Sequence, residues 1–340
     1  MMRMIGFTGM GCVAAFLAGV AGAGEPAPKE LMTPDKRVAE ATGLPDQGNH
    51  DPSNIIRHDG VYYCWYTDHI EPISANMNTR IRLITSPDGV AWTERGVVMA
   101  PDQRNDWEAL GTLTSYVVEH EGRFHMFYTA VPKGYKGRRA DGEKAQIAFA
   151  VADDPMGPWK KKGLVFEVSK DGWDRHKVDD ACVIRHNGRW LLYYKGFTEN
   201  LNSAYDTKLG LATATELTGP YTRHEGNPIM TGHCVSAWKH RDGIAMVAGG
   251  NSKQVVFWST DGVNFVPAGP FKNRSTGFHV PEGNFTDGPN NQGVTWGMDV
   301  TGFPTAPGKT RLFRFECDLG TGDRGQGTVG GRGHVLGGGT

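Results

Sequence analysis

The stretch SNIIRHDGVYYCWYT, residues 53–67, recurs in altered form as SYVVEHEGRFHMFYT (115–129), ACVIRHNGRWLLYYK (181–195) and VSAWKHRDGIAMVAGG (235–250). Each copy joins two runs of apolar and aromatic residues through a turn that ends in glycine, which is the pattern of a β-hairpin. The turn glycines, Gly60, Gly122, Gly188 and Gly243, are 62, 66 and 55 residues apart. This spacing indicates one repeating unit rather than several unrelated domains.

A second element lies between the hairpins. It reads SPDGVAWTERG, ADDPMGPWKKKG, TELTGPYTRHEG and STDGVNFVPAG, and each copy follows another strand-like run such as IRLITS or KQVVFWS. The unit therefore contains about four strands, as a propeller blade does. QGVTWGMDV and TRLFRFECDL supply a less regular fifth unit, with closure through the segment before Asp51. The pattern predicts an all-β fold, a single five-bladed β-propeller over residues 45–318.

The two ends of the chain differ from this repeat. Arg3, an apolar run from Ile5 to about Val20 and the small residues at 21–23 are typical of a secretory signal peptide, so residues 1–23 predict a secreted or periplasmic protein. Residues 24–44 form an N-terminal extension in which PDKRVAEATG suggests a helix. The Gly-rich tail, 319–340, is predicted to be disordered because it offers little apolar surface to bury.

Charge and cysteine content limit the function classes. The chain has 36 Lys and Arg against 37 Asp and Glu, so it has no polybasic footprint for nucleic acid or an anionic membrane. This balance favours a neutral or small ligand such as an oligosaccharide. The four cysteines beyond the signal peptide are too scattered for a disulfide framework and are expected to be small buried hydrophobes.

Polar residues at the starts of the innermost strands are expected to meet at the axis of a propeller. Asp51, Asp180 and His233 occupy such positions in three units and could supply the acid and base that glycoside cleavage requires. Simpler interpretations stay open. Asp51 before a proline could cap a turn, Asp179 could take the role of Asp180, and His233 could be a buried structural histidine.

Other residues near these starts are candidates for substrate binding. They are His50, Trp107, Thr114, Lys177, Asp179, Lys195, Glu282 and Trp296. The two tryptophans could stack on a sugar ring, and the two lysines could contact hydroxyl or sulfate groups. The alternative for the lysines is that they are ordinary exposed surface residues. The sequence has no compact metal-ligand motif, so no metal ligands are assigned, and a divalent cation in the central channel is the only cofactor left open.

The sequences NHDPSNIIRHDGVYYCWYT, KVDDACVIRHNGRWLLYYKG, LATATELTGPYTRHEGNPIMTGHCVSAWKHRDGIAMVAGG and GVTWGMD with LFRFECD together resemble glycoside hydrolase family 117, over about residues 45–318. HDPS alone also occurs in the related family 43 propellers. The resemblance implies an exo-acting, inverting enzyme that releases 3,6-anhydro-L-galactose from neoagaro-oligosaccharides. It implies that Asp51 is the general base, Asp180 an acid that orients and tunes the site, and His233 the general acid. It also implies a homodimer through the N-terminal stretch.

The chain departs from the family pattern at three places. Cys234 follows the histidine where an acidic residue is usual, Asp179-Asp180-Ala181 replaces His-Asp-Pro, and LTSY replaces a motif with Pro-Glu. Two alternatives therefore stay open beside the hydrolase. One is a glycan-binding propeller without catalysis, and the other is a glycoside phosphorylase, for which only Lys177 and His233 are evident basic groups.

Overall fold

The computed structural model describes residues 25–32, 40–41, 49–70, 77–137, 139, 141–198, 207–233, 235–250, 253–271, 277–281, 285–301 and 311–320. Within these ranges almost all regular structure is β-strand. A 3-10 turn at Lys29–Leu31 and the short strand β1 (Glu40–Ala41) precede the first blade. The predicted signal peptide and nearly all of the Gly-rich tail lie outside the described residues.

The strands form five sheets that follow one another along the chain. Blade one contains β2 (Asn49–His58), β3 (Val61–His69), β4 (Thr79–Ser86) and β5 (Thr93–Met99), and blade two contains β6 (Gly111–His120), β7 (Arg123–Val131), β8 (Gln146–Ala152) and β9 (Lys160–Phe166). Blade three contains β10 (Lys177–His186), β11 (Arg189–Phe197), β12 (Lys208–Ala214) and β13 (Thr222–Arg223), with β14 (Met230–Thr231) also paired to β12. Blade four contains β15 (Val235–His240), β16 (Gly243–Gly250), β17 (Lys253–Ser259) and β18 (Val266–Phe271), and blade five contains β19 (Gly277–Phe278), β20 (Gly293–Thr301), β21 (Arg311–Gly320) and β1. The five-bladed β-propeller predicted from the repeat is confirmed.

Hydrogen bonds between blades close the ring of inner strands. The amide of Asn54 in β2 bonds both the carbonyl oxygen and the N–H of Val117 in β6, at 2.8 and 2.9 Å. The N–H of Val178 in β10 donates to blade two, and the N–H of Val280 donates to the carbonyl oxygen of Ile55, which joins blade five to blade one. These bonds satisfy buried backbone and amide groups while fixing the height of each blade against the next.

The hairpin turns have the backbone that their sequences predict. Asp59 and Gly60 have φ of 47° and 80°, and the equivalent turns of blades two and three are also left-handed at both central positions. Such turns match the twist of paired strands and favour Asn, Asp and Gly. Since the inner strands of blades one, two and three each run into one of these turns, their starts lie together at the opposite end of the propeller.

Packing between blades explains which strands are buried along their whole length. Blade faces pack on their neighbours, so β11 is buried at every residue after the first. The outer strand β5 alternates between exposed and half-buried residues until Met99, because one of its faces meets solvent. Cys64 and Cys182 are fully buried in this core, and burial raises the pKa of both thiols to about 12. They are apolar packing groups, as predicted.

The second sequence repeat forms turns between the outer strands. Ser86 and Asp88 hold one such turn, because the serine hydroxyl accepts from the N–H of Gly89 and the carboxylate accepts from the N–H groups of Val90 and Ala91. Ser259 and Asp261 repeat the arrangement in blade four. Asp88 and Asp261 therefore hold the turns of this repeat.

Blade five is completed by a strand from the other end of the chain. Glu40 and Ala41 pair with Arg314 and Phe313 of β21, so closure through the segment before Asp51 is confirmed. A helix over PDKRVAEATG is wrong at these two residues, because backbone pairing with β21 holds them in a strand; the rest of that stretch lies outside the described residues. The last strand continues to Gly320, beyond the predicted boundary at 318, because Leu319 is buried. No helix in the described part of the chain has the length and apolar character that a bilayer span requires.

Candidate active site at the starts of the inner strands

The inner strands of the first three blades share an irregularity near their starts. The register shifts after His50 in β2, after Leu113 in β6 and after Asp179 in β10. The next residue in each strand is left-handed: φ is 48° at Asp51, 48° at Thr114 and 52° at Asp180. Residues other than glycine rarely adopt this backbone, and strained positions of this kind cluster at functional sites.

Asp51 and Thr114 lie at the same height in the ring. Asn54 and Val117 are joined directly by hydrogen bonds, and each follows its left-handed residue by three positions. The N–H of Thr114 also donates to the hydroxyl of Thr67 in blade one at 2.9 Å. Asp51 lies inside β2, at the register shift, and its side chain is partly exposed.

Asp180 belongs to a chain of charged groups in blade three. Its Oδ2 atom lies 2.5 Å from Nζ of Lys195, which is also 3.4 Å from Oδ1 of Asp179. Oδ2 of Asp179 accepts from Nζ of Lys177 at 2.5 Å. Burial would lower the pKa of Lys177, but the charge of Asp179 outweighs it, and the pKa is raised. Two ammonium groups and two carboxylates thus alternate, and their charges balance.

His233 precedes the inner strand of blade four. Its N–H donates to the carbonyl oxygen of Gly249 at 2.8 Å, and its Nδ1 lies 3.3 Å from Oγ1 of Thr207. The hydroxyl of Thr207 donates to the carbonyl oxygen of Gly232 at 2.6 Å. Because that bond uses the only hydroxyl proton, we assign the Thr207 oxygen as the acceptor of an Nδ1–H donor. Cys234 lies outside the described residues.

These groups can perform acid and base chemistry. A carboxylate in blade one, a carboxylate in blade three and an imidazole before the inner strand of blade four are groups that can accept and donate protons. Within the described ranges, no group of three or more His, Cys, Asp or Glu side chains is placed to hold a metal ion. The divalent cation in the channel therefore stays a prediction.

The other predicted substrate ligands have mixed placements. Thr114 shares the left-handed position, and Trp107 is half-buried in the loop before β6. Lys177 and Lys195 both contact Asp179, and their contact with hydroxyl or sulfate groups of a substrate stays a prediction. Glu282 and the side chain of His50 lie outside the described part of the structure.

The predicted role of Trp296 is corrected by the structure. The prediction that it stacks on a sugar is wrong, because its ring is only 8% exposed and packs in the core between blades five and one. The ring stacks on His279 with centroids 4.8 Å apart, and the guanidinium of Arg314 lies 4.8 Å from its centroid. An aromatic residue in an alternating strand fits either role by sequence, and burial decides between them.

Thr207, Thr67 and Thr129 were missed by the sequence reasoning. Thr207 contacts His233 from just before β12, 26 residues away in sequence. Thr67 and Thr129 lie opposite the bulges in β3 and β7. Thr207 directly precedes β12, the third strand of its blade, and no repeated sequence motif marks that position, so the sequence gives no sign of its contact with His233. The other two could have been found by aligning them with Lys195, the equivalent residue of the third hairpin.

Comparison with known proteins agrees with the propeller fold. The family model for glycosyl hydrolases family 43 matches residues 46–206. A solved family 117 glycoside hydrolase from the marine bacterium Zobellia galactanivorans is 29% identical, with a TM-score of 0.75 over 86% of this chain and 92% of that chain. Fructan 1-exohydrolase IIa from Cichorium intybus is 13% identical, with a TM-score of 0.60 over 85% of this chain and 57% of that chain, and shares the fold.

Curated relatives match over a shorter stretch. An uncharacterized protein of Mycobacterium tuberculosis is 28% identical over 153 residues, which is 42% of this chain and 44% of the relative. The sucrose-6-phosphate hydrolase of Bacillus subtilis is 27% identical over 154 residues, 45% of this chain and 30% of the relative. The chain thus spans less than half of the length of these curated relatives. Taken with the five blades, these similarities identify the chain as a relative of glycoside hydrolase families 43 and 117, and the family 117 structure aligns along nearly its whole length.

Proposed function

We propose that the chain is an exported glycoside hydrolase that acts from the non-reducing end of galactan-type, neoagaro-oligosaccharides with inversion and releases 3,6-anhydro-L-galactose. The observation that carries the hydrolytic part is the shared left-handed backbone at Asp51 and Asp180, at equivalent positions of two inner strands. Strain of this kind persists only where the surrounding structure over-determines it, and two of the three equivalent residues that carry it are carboxylates.

Each group has a role in this reaction. Asp51 is the general base that takes a proton from water as the water oxygen attacks the anomeric carbon. His233 is the general acid that gives a proton to the glycosidic oxygen as the bond between that oxygen and the anomeric carbon breaks. Asp180 orients the reacting groups. The Nδ1 contact with Thr207 makes Nε2 the nitrogen whose proton is transferred.

The charge balance of the site supports a neutral sugar. Lys177 and Lys195 belong to the candidate site, but their ammonium groups lie 2.5 Å from the carboxylates of Asp179 and Asp180. A phosphorylated sugar or inorganic phosphate would need cations that are not already neutralised. The family 117 structure from Zobellia galactanivorans aligns with 86% of this chain and the Bacillus subtilis sucrose-6-phosphate hydrolase with 45%, which supports a family 117-type substrate over a sugar phosphate.

A panel of oligosaccharides tests the proposal. Purified protein is incubated with neoagaro-, carrageenan- and arabinose-containing oligosaccharides, and proton NMR follows the anomeric signals of the products. We expect cleavage of a neoagaro-oligosaccharide, with the inverted anomer formed first, and no turnover by Asp51→Asn. Binding without turnover would make the chain a glycan-binding propeller instead, and turnover that requires phosphate would make it a phosphorylase.

Export and assembly are separate parts of the proposal. The apolar run after Arg3 supports cleavage of a signal peptide near Ala23 and a secreted or periplasmic location. Cell fractionation and N-terminal sequencing of the mature protein test this. Light scattering on the purified protein tests the homodimer that the family resemblance implies.

A further inference from the structure

The residue opposite each bulge is equivalent in the first three blades. Thr67 pairs with His50, Thr129 pairs with Leu113, and Lys195 pairs with Asp179. Each of these three residues therefore stands across the hairpin from the strained position that follows its partner. The repeat thus gives the middle strand a side chain that can reach the left-handed residue.

In blade two this contact joins two neutral groups. The hydroxyl oxygens of Thr114 and Thr129 lie 2.7 Å apart. In blade three the same two positions carry opposite charges, and Nζ of Lys195 donates to Oδ2 of Asp180 at 2.5 Å. The contact therefore occurs in the bulges of blades two and three, and in blade three it is an ion pair to a carboxylate with a proposed role in the reaction.

Because both partners of this ion pair are largely buried, the loss of either one is costly. The side chain of Lys195 is 9% exposed and that of Asp180 is 13% exposed. Removing one member of a buried pair leaves the other charge without compensation, which costs much more than the pair itself contributes. Asp179, 1% exposed and bound to Lys177, holds the ammonium of Lys195 from the other side. Lys195 is thus fixed between two carboxylates.

We propose that Lys195 is a positioning residue that holds the carboxylate of Asp180 in place for the reaction, and that it does not bind the substrate. The inference rests on the proposed function, because it gives Lys195 a role in the same site. Asp179 and Lys177 are the buried anchor of Lys195. The strained backbone of Asp180 and the ion pair then act together, since the first turns the side chain out of the strand register and the second fixes its carboxylate.

A double-mutant cycle tests the proposal. Hydrolysis of the best oligosaccharide is measured for the wild type, Lys195→Met, Asp180→Asn and the double variant. Lys195→Met should lower kcat by about thirtyfold or more with little change in KM, because it unpairs a buried carboxylate. In the Asp180→Asn background the same substitution should lower kcat by less than about threefold, since it acts only through Asp180.

Lys239→Met is the matched control. Lys239 is another buried lysine of the inner ring, but it contacts Nδ1 of His186 at 2.7 Å close to the hairpin turn, at the opposite end of the propeller. Its removal should leave kcat and KM unchanged. If Lys195→Met does not fold, Lys195→Gln replaces it, because glutamine keeps a hydrogen-bond donor without the charge.

The outcomes separate the two proposals. Additive losses in the cycle, or a rise in KM with kcat unchanged, would overturn the positioning role while hydrolysis by the wild type stands. If the wild type cleaves no oligosaccharide, the proposed function falls, and the crystal structure of Lys195→Met decides the positioning role. A displaced Asp180 carboxylate supports it, and an unmoved one overturns it.

Discussion

The hydroxyl oxygen of Thr207 lies 3.3 Å from Nδ1 of His233 while its proton is directed at the carbonyl oxygen of Gly232. The threonine is 2% exposed, so its hydroxyl has little access to water. Residue 249, whose carbonyl oxygen accepts from the backbone N–H of His233, is a glycine and offers no side chain. Thr207 therefore orients the imidazole from the neighbouring blade.

Replacing Thr207 by valine should lower kcat about three- to tenfold, the effect of one neutral hydrogen bond of about 1 kcal/mol. Valine keeps the shape of threonine but cannot accept a hydrogen bond from Nδ1–H of His233. Steady-state hydrolysis measures the loss. Thr207→Ser keeps the hydroxyl and should retain most of the activity; equal losses in the two variants would mean that packing, not the hydrogen bond, is responsible.

Asp51→Asn should reduce hydrolysis by about a thousandfold or more, because an amide cannot accept the proton of water. Asp59→Asn is a matched control, since Asp59 is also a left-handed aspartate, with φ of 47°, but lies exposed in the first hairpin turn. Asparagine tolerates this backbone, so neither variant should lose its fold. Single-turnover rates compare the two, and similar rates in both would exclude Asp51 as the base.

Thr114→Asn should weaken substrate binding more than folding. A β-branched residue at φ of 48° is strained, and asparagine relieves that strain while losing the 2.7 Å contact between hydroxyl groups. The free energy of unfolding should change by less than about 1 kcal/mol, and KM should rise about three- to tenfold. Urea unfolding and steady-state kinetics provide the two numbers. An unchanged KM would remove Thr114 from the substrate ligands.

His279 should make the protein less stable in acid. Burial, with Arg57 and Arg314 nearby, lowers its pKa to about 4. The folded state keeps this imidazole neutral, whereas the unfolded state takes up a proton below about pH 6.5, so acidification from there to about pH 4 favours unfolding. Burial lowers the pKa of His125, His186 and His240 as well, which adds in the same direction.

Urea unfolding of the wild type and His279→Phe at pH 7.5 and 5 checks this effect. Phenylalanine can keep the stack on Trp296 but does not titrate. The variant should gain about 2 kcal/mol relative to the wild type between pH 7.5 and 5. Carboxylates titrate in both proteins and cancel in the difference, so a constant difference would contradict the assignment.

The fold was predictable because its signal is repeated. The turns at Gly60, Gly122 and Gly188 depend on local sequence, and their spacing, together with the second repeated element, indicated the four-stranded unit. The candidate site was predictable only at strand starts, since Asp51 and Asp180 occupy equivalent positions of that repeat. Thr207 was not predictable, because its contact with His233 depends on how two blades pack. Trp296 was misread because alternation does not tell a core ring from an exposed one.

The pairing of Glu40 and Ala41 with β21 also bears on the order of assembly during synthesis. The first four sheets use strands that emerge consecutively from the ribosome, so each can pair as it appears. The fifth sheet joins residues near 40 to residues near 313. The pairing of its outermost strand, which is the seam of the propeller, must therefore wait until residues near 313 have been made. Loss of that seam, by proteolysis between Met32 and Asn49 or by a pulling force on the early segment, would expose an unpaired edge on the last blade while the carboxylates of blades one and three stay in their own sheets.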